Sequence, residues 1–203
     1  YQAPPIPVEP EQTEERSATV PYEGKTLPLL AVSYKAPALD VSDIRMVAGS
    51  MLGELLFGEA SALYKKLVLK EQKVQFINAD FGFNRDPRLW SIYTMVNDES
   101  DVELVRREID RTIEQFSRKT VDPRDLERLQ KRLRYGFLMR LDSPHAVAAR
   151  LARLIAITGG MDVVEDLYSA YERVTPQDIR DAVSQYLVPG RRTIVTVTGR
   201  GES

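Results

Sequence analysis

The chain has 203 residues, and its 28 basic and 30 acidic residues give a formal net charge of −2 at pH 7. Such a near-neutral chain has no overall field that would attract nucleic acid or an anionic membrane surface. No uninterrupted apolar run approaches the ~20 residues needed to cross a bilayer. We therefore predict that neither nucleic acid nor membrane insertion is involved. Localisation stays open between periplasm and cytoplasm, because a chain without cysteine has no disulfides to indicate the compartment.

The side chains that build hydrolytic metal sites are almost absent from this sequence. It has one histidine, His145, and no cysteine, whereas a catalytic zinc takes about three protein ligands with at least one imidazole or thiolate. His145 follows a serine-proline helix start, where a partly exposed polar residue is the simplest interpretation. Several aspartates lack EF-hand spacing and are typical of turns and caps: Asp80, Asp86, Asp98 and Asp101. We predict no catalytic residue and no metal ligand here, and expect the isolated chain to be inactive.

The first fifteen residues, YQAPPIPVEPEQTEE, contain four of the chain's twelve prolines and four glutamates, with almost nothing to bury. This composition predicts an extended interdomain linker over 1–15 and a single compact domain over 16–203. A chain that opens at Tyr1 in such a linker also indicates excision from a longer polypeptide.

Five segments have the apolar, β-branched character of strands. SATV and LPLLAVSYKAP flank the turn PYEGKT, which predicts a hairpin-like pair. KVQFINADFGF and RLWSIYTMV flank the turn-rich NRDP, which predicts antiparallel pairing. The last segment, RRTIVTVTG, alternates in polarity and needs a sheet to join.

Helices are predicted where apolar residues recur three and four positions apart or where caps mark a start. They are expected over 43–57, over 61–70, over 101–118, from Asp122-Pro123 onward, from Ser143-Pro144 to Gly159-Gly160, from Asp162 onward, and from Thr175-Pro176 to Pro189-Gly190. Because the final strand follows a helical block and must pair with earlier strands, the sheet should be antiparallel or mixed and covered by helices. The predicted fold class is α+β.

The segments ASALYKKLVLKEQKVQF (60–76) and VTPQDIRDAVSQYLVPGRRTIVTVTG (174–199), with the charged helical block between them, resemble one half of a pitrilysin/insulinase-type zinc peptidase. The opening PPIPVEPEQTEER is similar to the link between the two halves of a bacterial enzyme of that family. The resemblance covers essentially the whole chain and implies a LuxS/MPP-like metallopeptidase half-domain over 16–203.

The resemblance also implies which half this is. The family's catalytic half bears His-x-x-Glu-His on a helix, with a glutamate as general base, and that motif is absent here. The chain therefore resembles the C-terminal, non-zinc-binding half. No cofactor is expected in it, and the zinc is expected in the missing N-terminal half.

The family's other half often contributes an arginine and a tyrosine that approach the substrate across the cavity. Alignment on Ser61 places Val68 at the arginine position and, after one extra residue, Phe76 near the tyrosine position. Neither side chain supplies a charge or a hydroxyl. In a different register of the alignment, Lys70 would supply a positive charge. Phe76 is kept as a candidate substrate-facing residue, against the simpler interpretation of a core aromatic.

Three functions follow as hypotheses. In the first, the chain is the non-catalytic half of a zinc metallopeptidase, walls a peptide-enclosing cavity, and takes an arginine and tyrosine from a second subunit. In the second, it is a structural scaffold or assembly subunit of the same family. In the third, it is an unrelated α+β binding module. The expected partners are the N-terminal zinc-binding half and a peptide substrate.

Overall fold

The computed structural model describes residue 7, residues 9–139 and residues 143–199. The strands in this part form a five-stranded sheet in the order β1-β5-β2-β4-β3. Their bounds are Arg16–Tyr22 (β1), Leu29–Ala36 (β2), Val74–Asp80 (β3), Arg88–Val96 (β4) and Arg192–Gly199 (β5). β1 runs parallel to β5, and the other neighbouring strands are antiparallel. The mixed sheet of the predicted α+β class is confirmed.

The expected hairpin between the first two strands is wrong. β5 lies between β1 and β2 and pairs with both. The reason lies in the residues that β1 would direct toward the core, which the register identifies as Ser17, Thr19 and Pro21. They offer little to bury, and a proline is tolerated mainly at a sheet edge. In β5 the corresponding position opposite Ser17 is Ile194, which is 6% exposed. The more apolar strand therefore occupies the inner position.

Seven α-helices are found in the described residues, and most begin at the capping residues that the sequence predicts. Their bounds are Ile44–Leu56 (α1), Ala62–Tyr64 (α2), Val102–Arg118 (α3), Pro123–Leu138 (α4), Pro144–Thr158 (α5), Asp162–Arg173 (α6) and Pro176–Tyr186 (α7). Asp122 accepts a hydrogen bond from Arg124 N, and Thr175 forms a capping box with Asp178. Gly159 ends α5 in the left-handed conformation, with φ 83°.

One face of the sheet is buried under helices. Its central rows contain Leu30, Val32 and Tyr34 of β2, each at most 1% exposed, and α7 packs on β2, on α1 and on α3. α1 also approaches β3 closely at Gly53, where a Cβ would lie 3.2 Å from Ala79 Cβ. This face is the hydrophobic core, so the opposite face is where the sheet can meet another molecule.

The predicted second helix is irregular. After the single turn α2, residues Lys65–Lys70 form a π-helix, in which Glu71 N donates to Lys66 O at 2.8 Å. A β-bulge follows in β3, between Val74 and Phe76. Each irregularity takes one residue more than a regular helix or ladder. Between them Gln72 has φ 51°, a conformation usually taken by glycine.

The predicted linker, residues 1–15, has no regular structure over 9–13, although residues 1–6 and 8 lie outside the described part. The expectation that this stretch has almost nothing to bury is wrong at Gln12, which is 6% exposed. Its Nε2 donates to Arg192 O at 2.7 Å and to Glu14 O at 2.9 Å. The segment therefore contacts the start of β5 as it leads into β1.

No helix in the described ranges is both long and apolar enough to span a bilayer.

Candidate functional site

The candidate site begins with the sheet face that the helices leave uncovered, which we call the open face. The strand registers arrange its side chains in three rows that cross all five strands. From β1 to β3 the rows are Val20, Val197, Leu29, Met95 and Phe76; then Ala18, Val195, Ala31, Tyr93 and Asn78; then Arg16, Thr193, Ser33, Ser91 and Asp80.

The polarity of the open face changes from one row to the next. The first row is entirely apolar and includes Val20, which is 47% exposed. The middle row is small and apolar except at Tyr93 and Asn78, and Tyr93 is 40% exposed. The third row is polar, and in it Ser33 Oγ and Ser91 Oγ lie 2.7 Å apart. A molecule lying along the strands would therefore meet apolar surface at one end and hydrogen-bonding groups at the other.

A large concavity adjoins the polar end of the open face. Its volume is about 1210 Å³, and it lies between the β3–β4 connection (81–87) and helices α4, α5 and α6. Lys35, Leu89 and Ser91 line it on the sheet side. The open face and the concavity therefore share residues and form one continuous surface.

Aromatic side chains line the helical side of this concavity. The rings of Phe137 and Tyr168 have centroids 4.9 Å apart, and those of Tyr168 and Tyr171 are 5.7 Å apart. Ser50 Oγ lies 3.3 Å from the Tyr171 hydroxyl. Burial raises the pKa of Tyr171, and the Ser50 contact offsets only part of that rise. The hydroxyl is therefore a neutral polar group at physiological pH and is suited to binding rather than to proton transfer.

The rim of the concavity is polar. Arg153 of α5 donates from Nη2 to Phe83 O at 3.1 Å and to Asn84 Oδ1 at 3.2 Å, which attaches the β3–β4 connection to the helices. On the opposite side, Lys35 Nζ pairs with Glu9 at 3.1 Å. These charged groups surround an apolar floor, a composition common in ligand-binding pockets.

Below the polar end of the open face, a buried arginine connects three parts of the fold. The Arg192 side chain is 4% exposed and pairs through both terminal nitrogens with Asp110 of α3 and through Nε with Glu15 at 2.7 Å. Burial lowers the pKa of Arg192, but the bonds to Asp110 and Glu15 outweigh this effect and the pKa is raised. Its charge is permanent, so this cluster is structural.

None of the candidate residues from the sequence lines the large concavity. Phe76 is half-buried on β3, in the apolar row of the open face, and lines a smaller cavity of about 560 Å³ with Tyr64. Val68 is half-buried in the π-helix and packs against the core, whereas Lys70 at the end of that helix is exposed. His145 is exposed in the first turn of α5. The position of Phe76 is compatible with a substrate-facing role, which stays a prediction.

Within the described ranges, no group of three or more His, Asp or Glu side chains is placed to hold a metal ion. His145, the single imidazole, belongs to no such cluster. The donor set needed for a catalytic zinc is therefore not found in the described part.

Comparison with known proteins identifies the chain. The sequence model described as peptidase M16 inactive domain matches residues 2–133. The chain belongs to the peptidase M16 inactive-domain family. The resemblance to a non-zinc-binding peptidase half is thereby confirmed. No protein of curated function matches the sequence of this M16 inactive domain.

Solved structures share the fold of this M16 inactive domain. A protease from Helicobacter pylori is 22% identical, with a TM-score of 0.85, over 98% of this chain and 48% of the other. A peptidase M16 inactive domain from Pseudomonas fluorescens is 13% identical, with a TM-score of 0.74, over 97% and 46%. The inactive peptidase domain of a candidate zinc protease from Bordetella parapertussis is 19% identical, with a TM-score of 0.72, over 90% and 96%.

The chains of these solved structures differ in length. The M16 inactive domain described here spans about half the length of the Helicobacter pylori and Pseudomonas fluorescens chains, but nearly all of the Bordetella parapertussis chain. The Bordetella parapertussis chain is described as the inactive peptidase domain alone, so the match over nearly its whole length shows that the fold described here is that of one such domain.

The amino-acid sequence alone does not predict the concavity. One signal was present in β4, where Ile92 and Thr94 on either side of Tyr93 are buried and so assign Tyr93 to the opposite face. No comparable signal marks Tyr168 or Arg153, because their site depends on how the β3–β4 connection packs against α5 and α6.

Proposed function

We propose that this chain is the non-catalytic C-terminal half of a zinc metallopeptidase and forms one wall of a cavity that encloses unfolded peptides. The zinc and the general base would come from an N-terminal half supplied elsewhere. One observation carries the proposal: the open face is uncovered, graded in polarity, and continuous with a concavity of about 1210 Å³.

An extended peptide suits this surface. Its side chains alternate between two sides at about 3.3 Å per residue, so one side can contact the open face along its length. The apolar row offers burial, and the third row offers hydrogen bonds through its exposed members Arg16 and Asp80. Ser91, in contrast, is 2% exposed and bonds to Ser33. The aromatic floor of the concavity can take one larger side chain beside the sheet. Such contacts recognise size and polarity rather than one defined sequence.

The role of this wall would be to bind and orient. Positioning a peptide against a zinc-bound water can contribute to the rate without any reacting group on this half. With Val68 and Phe76 in place of an arginine and a tyrosine, groups that stabilise an oxyanion would have to come from a second subunit. The expected composition is this half, a zinc-bearing half and an added subunit.

Peptide binding to the chain provides the test. A fluorescein-labelled, unstructured peptide is titrated with the wild-type chain and with Tyr93→Lys, and binding is measured by fluorescence anisotropy. Tyr93 lies in the middle row and is 40% exposed, so the substitution should change the surface without disturbing the core. Loss of a central aromatic contact is expected to weaken binding about tenfold.

Tyr135→Lys is the matched control, because Tyr135 is an exposed tyrosine on α4 that does not line the concavity. It should bind the peptide as the wild type does. Equal affinity for Tyr93→Lys and Tyr135→Lys would refute binding on the open face, and peptide hydrolysis by the isolated, chelator-treated chain would refute the non-catalytic assignment.

A second candidate function is a structural or assembly subunit of the same family. The observation that favours it is the half-buried Val68, which packs against the core where an arginine would be expected. A purely structural subunit would bind the zinc-bearing half but not free peptide. Co-purification with such a half, combined with no peptide-induced change in anisotropy, would favour this candidate.

A further inference from the structure

Residues 9–15 make three ion pairs with the domain along their length, each between a glutamate and a basic residue. Glu9 pairs with Lys35 at 3.1 Å, Glu11 with Arg191 at 3.0 Å, and Glu15 with Arg192 at 2.7 Å. Lys35 Nζ also donates to Pro10 O at 2.6 Å. The segment therefore lies against β2 and the start of β5 over its whole length.

The inner part of this segment, residues 12–15, is anchored by buried groups. Gln12 is 6% exposed and donates from its side chain to Arg192 O, and the Arg192 side chain that holds Glu15 is 4% exposed. Interactions of buried groups are shielded from salt, and removing one partner leaves the other without compensation. Release of this part would disturb the core.

The outer part, residues 9–11, is attached differently. The Glu9 and Glu11 side chains are 77% and 69% exposed, and their partners Lys35 and Arg191 are 34% and 55% exposed. Exposed ion pairs contribute little and are weakened by salt. The strength of attachment therefore changes abruptly at Gln12.

The outer part also borders the large concavity, since Pro7 and Glu9 line it together with Lys35. We propose that residues 9–11 form a movable strap, hinged at Gln12, whose two exposed ion pairs hold it across the Lys35 side of the concavity. When these pairs open, the strap lifts and the mouth of the concavity widens, while residues 12–15 stay docked.

The absence of cysteine allows a direct test, because introduced cysteines are the only sites for thiol-directed spin labels. One pair of labels, at Pro10→Cys and Arg107→Cys, reports on the strap, and a second pair, at Thr13→Cys and Arg107→Cys, reports on the inner part. All three positions are exposed, so the labels should not disturb the packing. Distances within each pair are measured by double electron-electron resonance.

At low salt both pairs should give narrow distance distributions. In about 1 M NaCl, where the Debye length is about 3 Å, the distribution for the strap pair should broaden severalfold and that for the inner pair should not. Lys35→Met should broaden the strap pair at low salt, whereas Lys119→Met, which removes an exposed charge at the end of α3, should not.

Four results would overturn the proposal. Two narrow distributions in high salt would mean that the strap is fixed by other contacts. A broad distribution for the strap pair at low salt would mean that the ion pairs do not hold it. Broadening of both distance distributions together would mean that the hinge does not lie at Gln12. A narrow distribution for the strap pair in Lys35→Met would mean that Lys35 does not hold the strap.

Discussion

Removing the carboxylate partner of the buried Arg192 should destabilise the protein more than removing Arg192 itself. Asp110→Asn keeps the shape of the side chain but leaves a guanidinium that is 4% exposed with Glu15 as its remaining carboxylate. Breaking a buried pair from one side typically costs about 3 to 5 kcal/mol. Because the Asp110 and Glu15 side chains are 31% and 42% exposed, we expect a smaller loss, about 2 to 3 kcal/mol.

Arg192→Met has the opposite balance. It removes the charge that is costly to bury and replaces it with an apolar chain, while Asp110 and Glu15 can both turn toward water. We expect a loss of about 1 kcal/mol or less. The neighbouring Arg191→Met is the control, because its pair with Glu11 is exposed on both sides and should contribute at most about 0.5 kcal/mol.

Urea denaturation of the three variants gives the free energies of unfolding, provided that the denaturant slope stays constant. The decisive quantity is the order of the losses: Asp110→Asn, then Arg192→Met, then Arg191→Met. A larger loss for Arg192→Met than for Asp110→Asn would show that the ion cluster is itself a net source of stability and would refute the argument from desolvation.

Three further substitutions test single residues. Gln72→Gly should raise the free energy of unfolding by about 0.5 to 1 kcal/mol, because glycine adopts the observed φ of 51° without steric cost and this gain exceeds the added chain entropy; a loss in urea denaturation would contradict this. Gly53→Val should cost about 2 kcal/mol in the same assay, since a Cβ there already lies 3.3 Å from Ala79 O; a neutral result would show that α1 can shift from β3. Tyr171 has a raised pKa in the fold, so its contribution is complete below the pKa of the unfolded tyrosine and is lost as pH rises. Above about pH 10, the free energy of unfolding should therefore fall less steeply with pH in Tyr171→Phe than in the wild type, with the two slopes differing by about 1.4 kcal/mol per pH unit. Equal slopes for the variant and the wild type would mean that Tyr171 ionises within the fold.

Local signals in the sequence predicted most of the elements. Asp122 before Pro123, and Thr175 before Pro176, predicted the helix starts that the structure shows, because capping depends on residues only a few positions apart. Alternation predicted a strand over 191–199, and β5 runs over Arg192–Gly199. Non-local arrangement was harder: β5 separates β1 from β2, and that choice depends on competition between distant segments for one inner position.

The candidate site was predictable only in part. Phe76 was singled out by resemblance, and the structure gives it a half-buried position on the open face, where its role is still to be tested. The concavity was not predicted, because Tyr168 and Arg153 come together with the β3–β4 connection only through tertiary packing. The π-helix was not predicted either, since a helical pattern of apolar residues does not distinguish it from an α-helix over six residues.

The parallel pairing of β1 with β5 has a practical consequence for tagged forms of the protein used in binding experiments. Arg16 lies beside Thr193 at one end of this pair, and Tyr22 lies beside Gly199 at the other, so the two strands enter the sheet together and leave it together. A reporter fused ahead of Glu9 would be close to the concavity, and one fused after Gly199 would adjoin the apolar row of the open face. Neither Glu9 nor Gly199 is therefore a neutral attachment point. Fluorophores and affinity handles belong instead on the helical side of the sheet, for example at the exposed Lys119, where they leave both the strap and the open face unobstructed.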